Sequence, residues 1–136
     1  MIYLLDSNAC IVYLNQPESS VRQQLEALEP EDMAICSVVR AELFYGAMRT
    51  RNPERTLMLQ EAFLNQFVSL PFDDDAARVA GRIRAQLATL GTPIGAYDLQ
   101  IAAIALANNL ILVTHNTSEF SRVAGLQIED WQEDER

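Results

Sequence analysis

The sequence predicts an α/β fold in which helices flank a parallel β-sheet. Short, continuous apolar runs alternate along the chain with longer stretches of helical character. Continuous apolar runs are typical of strands that are covered on both faces. No Ser/Gly-rich or Pro-rich stretch divides the 136 residues, so we expect one domain spanning residues 1–136.

The β-rich runs predict four strands, and the stretches between them predict six helices. The predicted strands are residues 2–5, 33–36, 67–70 and 110–113. The predicted helices are residues 9–14, 19–28, 38–50, 53–65, 74–90 and 97–108. Boundary residues support several of these ends, because Pro53 suits a first helical turn and Ser37 and Asp73 suit N-caps. Gly91 suits the end of the long fifth helix.

Composition places the chain among compact globular proteins. Hydrophobic residues make up 49% of the chain and charged residues 21%, which excludes a disordered chain. No apolar run approaches the ~20 residues of a membrane helix, and the N-terminus lacks the features of a signal peptide. We therefore expect a cytoplasmic protein with no membrane partner, in which Cys10 and Cys36 are reduced core thiols.

Charge is distributed unevenly along the chain. Nineteen acidic residues face ten basic residues, all arginine, which gives a net charge of −9. Such a protein has little general attraction for nucleic acid, because polyanions are drawn to basic surfaces. Residues 129–136 hold five of the acids and predict an acidic C-terminal tail. Arginines cluster in residues 40–55 and 78–84 and form local basic strips.

Three acidic residues occur where apolar runs give way to polar sequence: Asp6, Glu42 and Asp98. Ligands of an open parallel sheet bind beyond the carboxyl ends of its strands, so these side chains can meet in one crevice. Carboxylates gathered in this way repel one another unless a cation lies between them. Oxygen ligands suit a hard divalent ion, so the pattern predicts a Mg²⁺ site.

Simpler explanations apply to other polar residues. The acidic run at residues 73–75 is better explained as a helix cap and a partner for the helix dipole. His115 has no second histidine or cysteine cluster to form a zinc site, and we interpret it as a loop residue beside the crevice. Receiver domains and haloacid-dehalogenase-type phosphatases also place an Asp after the first strand, but both use a lysine, and this chain has none.

Three segments closely resemble PIN-domain ribonucleases, and within them the VapC toxins of bacterial toxin–antitoxin pairs. They are YLLDSNACIVYL, SVVRAELFYGA and GTPIGAYDLQIAAIALANNLILVTHNTSEFSRVAGLQIEDW. The resemblance spans nearly the whole chain in order and spacing. It implies a three-layer α/β/α fold with a central parallel sheet of about four to five strands. It also implies an endoribonuclease that uses Mg²⁺ or Mn²⁺.

The resemblance also implies roles for individual residues. Asp6, Glu42 and Asp98 match the family's metal-binding and catalytic acids, and Asn8 and Thr114 match supporting polar positions. Asn116 stands where many PIN domains carry a fourth acid, and its amide oxygen could ligate a metal but brings no charge. Glu119 follows three residues later and could supply that charge through water.

The expected partners are an RNA substrate such as tRNA and a cognate antitoxin protein. Arg82 and Arg84 lie on one of the basic strips and are candidates for RNA contact, although solvated helix faces often carry such residues. Six apolar residues on two successive helices exceed what a small core needs and predict a homodimer or antitoxin surface: Phe44, Tyr45, Met48, Leu57, Phe63 and Leu64. The alternative function is a catalytically impaired PIN-like module that only binds a protein or RNA partner.

Overall fold

One parallel sheet of five strands organises the chain in the computed structural model, which describes residues 1–132. The strands are β1 (Tyr3–Leu5), β2 (Met33–Cys36), β3 (Val68–Leu70), β4 (Ile111–Val113) and β5 (Ile128–Glu129). Their order across the sheet is β3-β2-β1-β4-β5, and every pairing is parallel. The predicted sheet of about four to five strands is therefore confirmed.

Helices connect the strands. They are α1 (Ser7–Asn15), α2 (Ser20–Glu26), α3 (Ser37–Met48), α4 (Pro53–Leu64), α5 (Asp74–Leu90), α6 (Ala96–Ala107) and α7 (Thr117–Phe120), with a 3₁₀ turn at Pro30–Asp32. All six predicted helices are present, and α5 has the predicted bounds. Within residues 1–132, no helix combines the length and apolarity that a bilayer crossing requires.

The helix ends confirm three of the boundary predictions, including Pro53 as the first residue of α4, and correct the fourth. The Asp73 carboxylate accepts the Ala76 N–H at 2.9 Å, and Gly91 ends α5 in the left-handed region with φ of 70°. Ser37 is not the cap of α3, because Cys36 occupies that position and Ser37 is already the first helical residue. Strand β2 runs directly into the helix without an intervening turn, so no position remains for a polar cap.

The strand pairing brings the candidate residues to one edge of the sheet. β1 lies between β2 and β4, with Tyr3 opposite both Met33 and Ile111. Parallel strands in this register end at the same level. Asp6 directly follows β1 and Thr114 directly follows β4, so both residues occupy the carboxyl edge of the sheet.

The core fills both faces of the sheet. Leu4, Leu5 and Leu112 are fully buried, and α6 contributes an unbroken buried run from Ile101 to Ala105. This part of α6 is covered on every side, as a helix segment without polar residues requires. Both cysteines are buried and unpaired, as expected, and burial raises the pKa of Cys10 strongly and that of Cys36 to about 11.

The apolar surface on α3 and α4 consists partly of residues other than the six predicted. Phe63 and Leu64 are 4% and 0% exposed and belong to the core, where Phe63 stacks on Tyr13 with ring centroids 4.5 Å apart. Four large apolar side chains on these helices are exposed, two of them predicted (Tyr45 and Met48) and two not (Met58 and Leu59). An exposed apolar surface is therefore present, but its membership differs from the prediction.

The C-terminal segment departs from the acidic tail predicted for residues 129–136. Glu129 lies in β5, and Trp131 is only 5% exposed, with its ring edge-on to Tyr3 at 5.2 Å. The Trp131 indole N–H donates to Glu129 Oε1 at 3.0 Å, and its carbonyl accepts from the Ser20 hydroxyl at 2.7 Å. Residues 129–132 are thus part of the folded domain. Residues 133–136 lie outside the described residues.

We predict that Trp131→Ala lowers the free energy of unfolding by about 3–5 kcal/mol, because it empties a buried aromatic site. Trp131→Phe keeps a ring against Tyr3 and removes only the indole donor, so it should cost about 1 kcal/mol. Urea unfolding followed by circular dichroism measures both. Equal, small losses for the two variants would mean that the segment contributes little to the fold.

Candidate active site

Asp6 is the most deeply buried of the candidate acids, at 6% exposure. Its carboxylate caps α1 by accepting the Ala9 N–H at 2.8 Å, and it is also hydrogen-bonded to the Thr114 side chain. Burial raises the pKa of Asp6, the two hydrogen bonds oppose that rise, and the charge of Glu42 adds to it. The side chain is therefore fixed in place but carries an incompletely compensated charge.

Glu42 approaches Asp6 from α3. It lies in the second turn of that helix, and its Oε1 accepts a hydrogen bond from the Ser7 hydroxyl at 2.8 Å. Ser7 is the first residue of α1, so this bond joins the segments that follow β1 and β2. The bond orients the Glu42 carboxylate toward the same edge of the sheet as Asp6.

Asp98 and Glu119 form the other side of the cluster as a hydrogen-bonded pair of acids. Burial, followed by the charge of Glu119, raises the pKa of Asp98 to about 7, and the charges of Glu42 and Asp6 add to the shift. The backbone N–H of Gly95 lowers the pKa of Glu119 by donating to its carboxylate at 2.7 Å. When this pair of carboxyl groups binds one proton, Asp98 is the group that carries it, because its pKa is raised and that of Glu119 is lowered.

Asn116 contacts this pair through its amide group. Its Nδ2 donates to Glu119 Oε2 at 2.7 Å, and its backbone N–H donates to the Thr114 hydroxyl at 3.0 Å. Asn116 therefore orients Glu119, the acid three residues later that the sequence analysis named as a source of the missing charge. Glu119 reaches the cluster directly, since it is hydrogen-bonded to Asp98.

The donor set fits a hard cation by its chemistry. Asp6, Glu42, Asp98 and Glu119 present only carboxylate oxygens, and their charges raise the pKa values of Asp6 and Asp98. A divalent ion would relieve that repulsion. Among residues 1–132, no three such side chains already meet at ion-binding distances, so the acids would have to draw together. The proton held between Asp98 and Glu119 would leave as they did so.

Asn8 and His115 lie on the Asp130 side of Asp6. The Asn8 amide is exposed and donates to Gln132 Oε1 at 3.3 Å. His115 Nδ1 lies 2.9 Å from Asp130 Oδ2, and both residues border the same small pocket as Asn8. His115 is thus a loop residue beside the acidic crevice, as predicted.

Arg82 and Arg84 are exposed on α5 and are not brought to the acidic cluster. Arg82 borders a cavity with Leu106 and Ala124. Leu106 follows Asp98 by eight residues along α6, which is about 12 Å of helix. Contact of these arginines with a substrate would require RNA that extends well beyond the carboxylates.

Sequence reasoning missed three residues that shape the site. Ser7 orients Glu42, Gly95 donates its N–H to Glu119, and Asp130 raises the pKa of Asp6 through its charge. Ser7 carried a usable signal, because a hydroxyl directly after a strand-end Asp often interacts with neighbouring polar groups. A backbone donor such as Gly95 leaves no such signal in a single sequence.

Comparison with known proteins identifies the family. The family model described as PIN domain matches residues 3–126. The tRNA(fMet)-specific endonuclease VapC of Shigella flexneri is 43% identical over 95% of this chain and 97% of its own length. Ribonuclease VapC2 of Rickettsia felis is 36% identical over 96% of this chain and 98% of its own length.

The fold is also close to that of a solved toxin–antitoxin complex. The structure of DNA-bound VapBC from Salmonella typhimurium superposes with a TM-score of 0.90. Its matching chain is 39% identical, with 96% of this chain and 98% of that chain covered. The chain therefore belongs to the PIN-domain family and to the VapC group within it.

Proposed function

We propose that the protein is a metal-dependent endoribonuclease that acts as the toxin of a toxin–antitoxin pair. The observation that carries the proposal is the convergence of Asp6, Glu42, Asp98 and Glu119 at one edge of the sheet. PIN-domain nucleases are generally dependent on a divalent metal ion. Bound Mg²⁺ or Mn²⁺ would supply a more acidic water and neutralise charge on a phosphodiester during hydrolysis.

The acids divide into fixed and adjustable members. Asp6 is held by Ala9 and Thr114, and Glu42 is held by Ser7, so these two would define where the ion binds. Asp98 shares a proton with Glu119 and can move toward the ion once that proton leaves. Asn116 would act mainly by positioning Glu119, and its carbonyl oxygen is the group that could ligate an ion directly.

The substrate and partner follow from the relatives. Two relatives are named tRNA(fMet)-specific endonucleases, and three solved structures are described as VapBC complexes from Salmonella typhimurium, Rickettsia felis and Haemophilus influenzae. We infer a tRNA substrate and a cognate antitoxin, and we expect both to be met in the cytoplasm, where tRNA is located. The exposed Met48, Met58 and Leu59 would serve the antitoxin or a second copy of the chain.

A binding module without catalysis is the second candidate, and Asn116 is the residue that favours it. Many PIN domains carry a fourth acid at that position, and this chain carries an asparagine there instead. Glu119 offsets the loss, because its carboxylate reaches Asp98 from the adjoining turn. Metal-dependent cleavage of RNA by the purified protein decides between the two candidates.

We predict that Asp6→Asn lowers cleavage of a tRNA(fMet) transcript by more than about 100-fold, since even groups one shell removed from a metal contribute 10–100-fold. Folding should be unimpaired, because asparagine caps helices as well as aspartate does and removes one repelling charge. Gel-resolved cleavage and thermal unfolding are the two measurements. Asp74→Asn, on the exposed first turn of α5, is the matched control and should cleave normally.

Mn²⁺ should raise the melting temperature of the wild-type protein, and EDTA should reverse the change. The reason is mass action on the folded state, which gives about 2.7 kcal/mol at a hundredfold excess over Kd. Asp98→Asn should respond much less, since it removes a candidate ligand. Identical shifts in both proteins would mean that the ion binds elsewhere.

Asn116→Asp should destabilise the metal-free protein and increase its stabilisation by Mn²⁺. The substitution replaces a donor 2.7 Å from the Glu119 carboxylate with a second negative charge. Asn116→Ala removes the donor without adding charge, so it should be destabilised less than Asn116→Asp. Its stabilisation by Mn²⁺ should not exceed that of the wild type. Thermal unfolding with EDTA and with graded Mn²⁺ compares the three proteins. If Asn116→Asp and Asn116→Ala respond alike, residue 116 has no influence on the ion.

A further inference from the structure

Two exposed tyrosine rings border a cavity next to the acidic cluster. The cavity has a volume of about 420 Å³ and is lined by Ala41, Glu42, Tyr45 and Tyr97. Tyr45 is 65% exposed on α3, and Tyr97 is 62% exposed and directly precedes Asp98 on α6. Aromatic rings in the core are buried, whereas these two rings are open to solvent beside a candidate catalytic carboxylate.

A cation continues the same face of α3. Glu42, Tyr45 and Arg49 are spaced three and four residues apart, so their side chains lie in a row along the helix. The Arg49 guanidinium is 5.5 Å from the centroid of the Tyr45 ring, a cation–π distance. The row therefore presents a carboxylate, an aromatic face and a positive charge over about 10 Å of helix.

We propose that Tyr45 and Tyr97 form a stacking site for one unpaired base beside the phosphate that is cleaved, with Arg49 facing the RNA backbone that leads away from it. This inference rests on the proposed function and specifies its substrate as single-stranded at that nucleotide. A base has an apolar face and suits an aromatic-lined cavity, and stacking on aromatic side chains tolerates any base identity. Continuity of the cavity with Glu42 links the bound base to the reacting phosphate.

The charge of the protein favours a base over general attraction to phosphates. The net charge is −9, so the protein as a whole has little general attraction for an RNA backbone. Stacking does not depend on net charge and contributes about 5- to 150-fold to affinity for each base. Arg49 supplies one positive charge where the aromatic face ends, which suits RNA better than an apolar protein segment.

The test uses synthetic RNA stem-loops that together cover the hairpins of tRNA(fMet), so it does not depend on a mapped cut site. 2-Aminopurine replaces each loop nucleotide in turn, and its fluorescence reports stacking on binding in EDTA, where cleavage is suppressed. A second set of stem-loops carries an abasic residue at the same positions and is used for cleavage in Mg²⁺. Variants are Tyr45→Ala, Tyr97→Ala and the ring-preserving Tyr45→Phe and Tyr97→Phe. Leu90→Ala, at an apolar side chain 63% exposed at the end of α5, is the control.

We expect one 2-aminopurine position to be quenched by the wild type and by the Phe variants but not by the Ala variants. Each Ala variant should lower kcat/KM on the intact stem-loop by about 5- to 150-fold and change little on the RNA that is abasic at that position. Leu90→Ala should match the wild type. Melting temperatures within a few degrees of the wild type confirm that each variant is folded.

Three results would overturn the stacking site. One is cleavage by the wild type without quenching at any position. Another is an equal loss for the Ala variants on intact and abasic RNA. The third is a change in oligomeric state or antitoxin binding with no base-dependent effect, which would assign the cavity to a protein. Quenching by the wild type without cleavage would support the stacking site and reject the proposed nuclease function, so the two failures are distinct.

Discussion

Repulsion among carboxylates at the carboxyl edge of the sheet is the constraint on which the site depends. Asp6, Glu42 and Asp98 come from three different segments, and each lies at or near the start of a helix that packs against the core. Folding therefore has to stabilise a cluster that opposes its own assembly. The raised pKa values of Asp6 and Asp98 are the visible consequence of that opposition.

Neutral donors stabilise most of the cluster, and among residues 1–132 the one basic side chain that contributes is Arg122, whose charge adds a smaller effect that lowers the pKa of Glu119. The Thr114 and Ser7 hydroxyls bind Asp6 and Glu42, while the Gly95 N–H and the Asn116 amide bind Glu119. A lysine or arginine in the same positions would neutralise the acids and compete with a metal ion. Hydroxyl and amide donors orient carboxylates and leave their charge available. This arrangement is consistent with a site prepared for an external cation.

The asymmetry of the cluster has a functional meaning. Asp6 and Glu42 are each fixed by the start of α1, whereas Asp98 and Glu119 are joined by a proton that a cation would displace. Binding of a divalent ion would then be linked to release of a proton from Asp98, whose pKa is raised to about 7. Tyr97 adjoins Asp98 in the chain, so the cavity lined by the two tyrosines lies beside the acid that would lose this proton.

Sequence alone determined most of the fold and the identity of the principal acids. Continuous apolar runs revealed four of the five strands, since strands buried on both faces must be apolar throughout. β5 and α7 are too short to produce a pattern, and Ser37 was misread as a cap because the sequence does not show that β2 enters α3 directly. Asp6 stood out because an unpaired charge at the end of a buried strand is costly, whereas Glu42 and Asp98 were singled out by the combined pattern and by the resemblance to PIN-domain ribonucleases.

Tertiary structure decided what surrounds those acids. It brought Glu119 against Asp98 and made Asn116 a donor to Glu119. It also placed Trp131 in the core and left Arg82 of α5 near Leu106, away from the acids. It also set Tyr45 beside Tyr97, from segments more than fifty residues apart. Local patterns encode periodicity and burial, whereas contacts between distant segments depend on how helices pack on the sheet, and a single sequence does not record that packing.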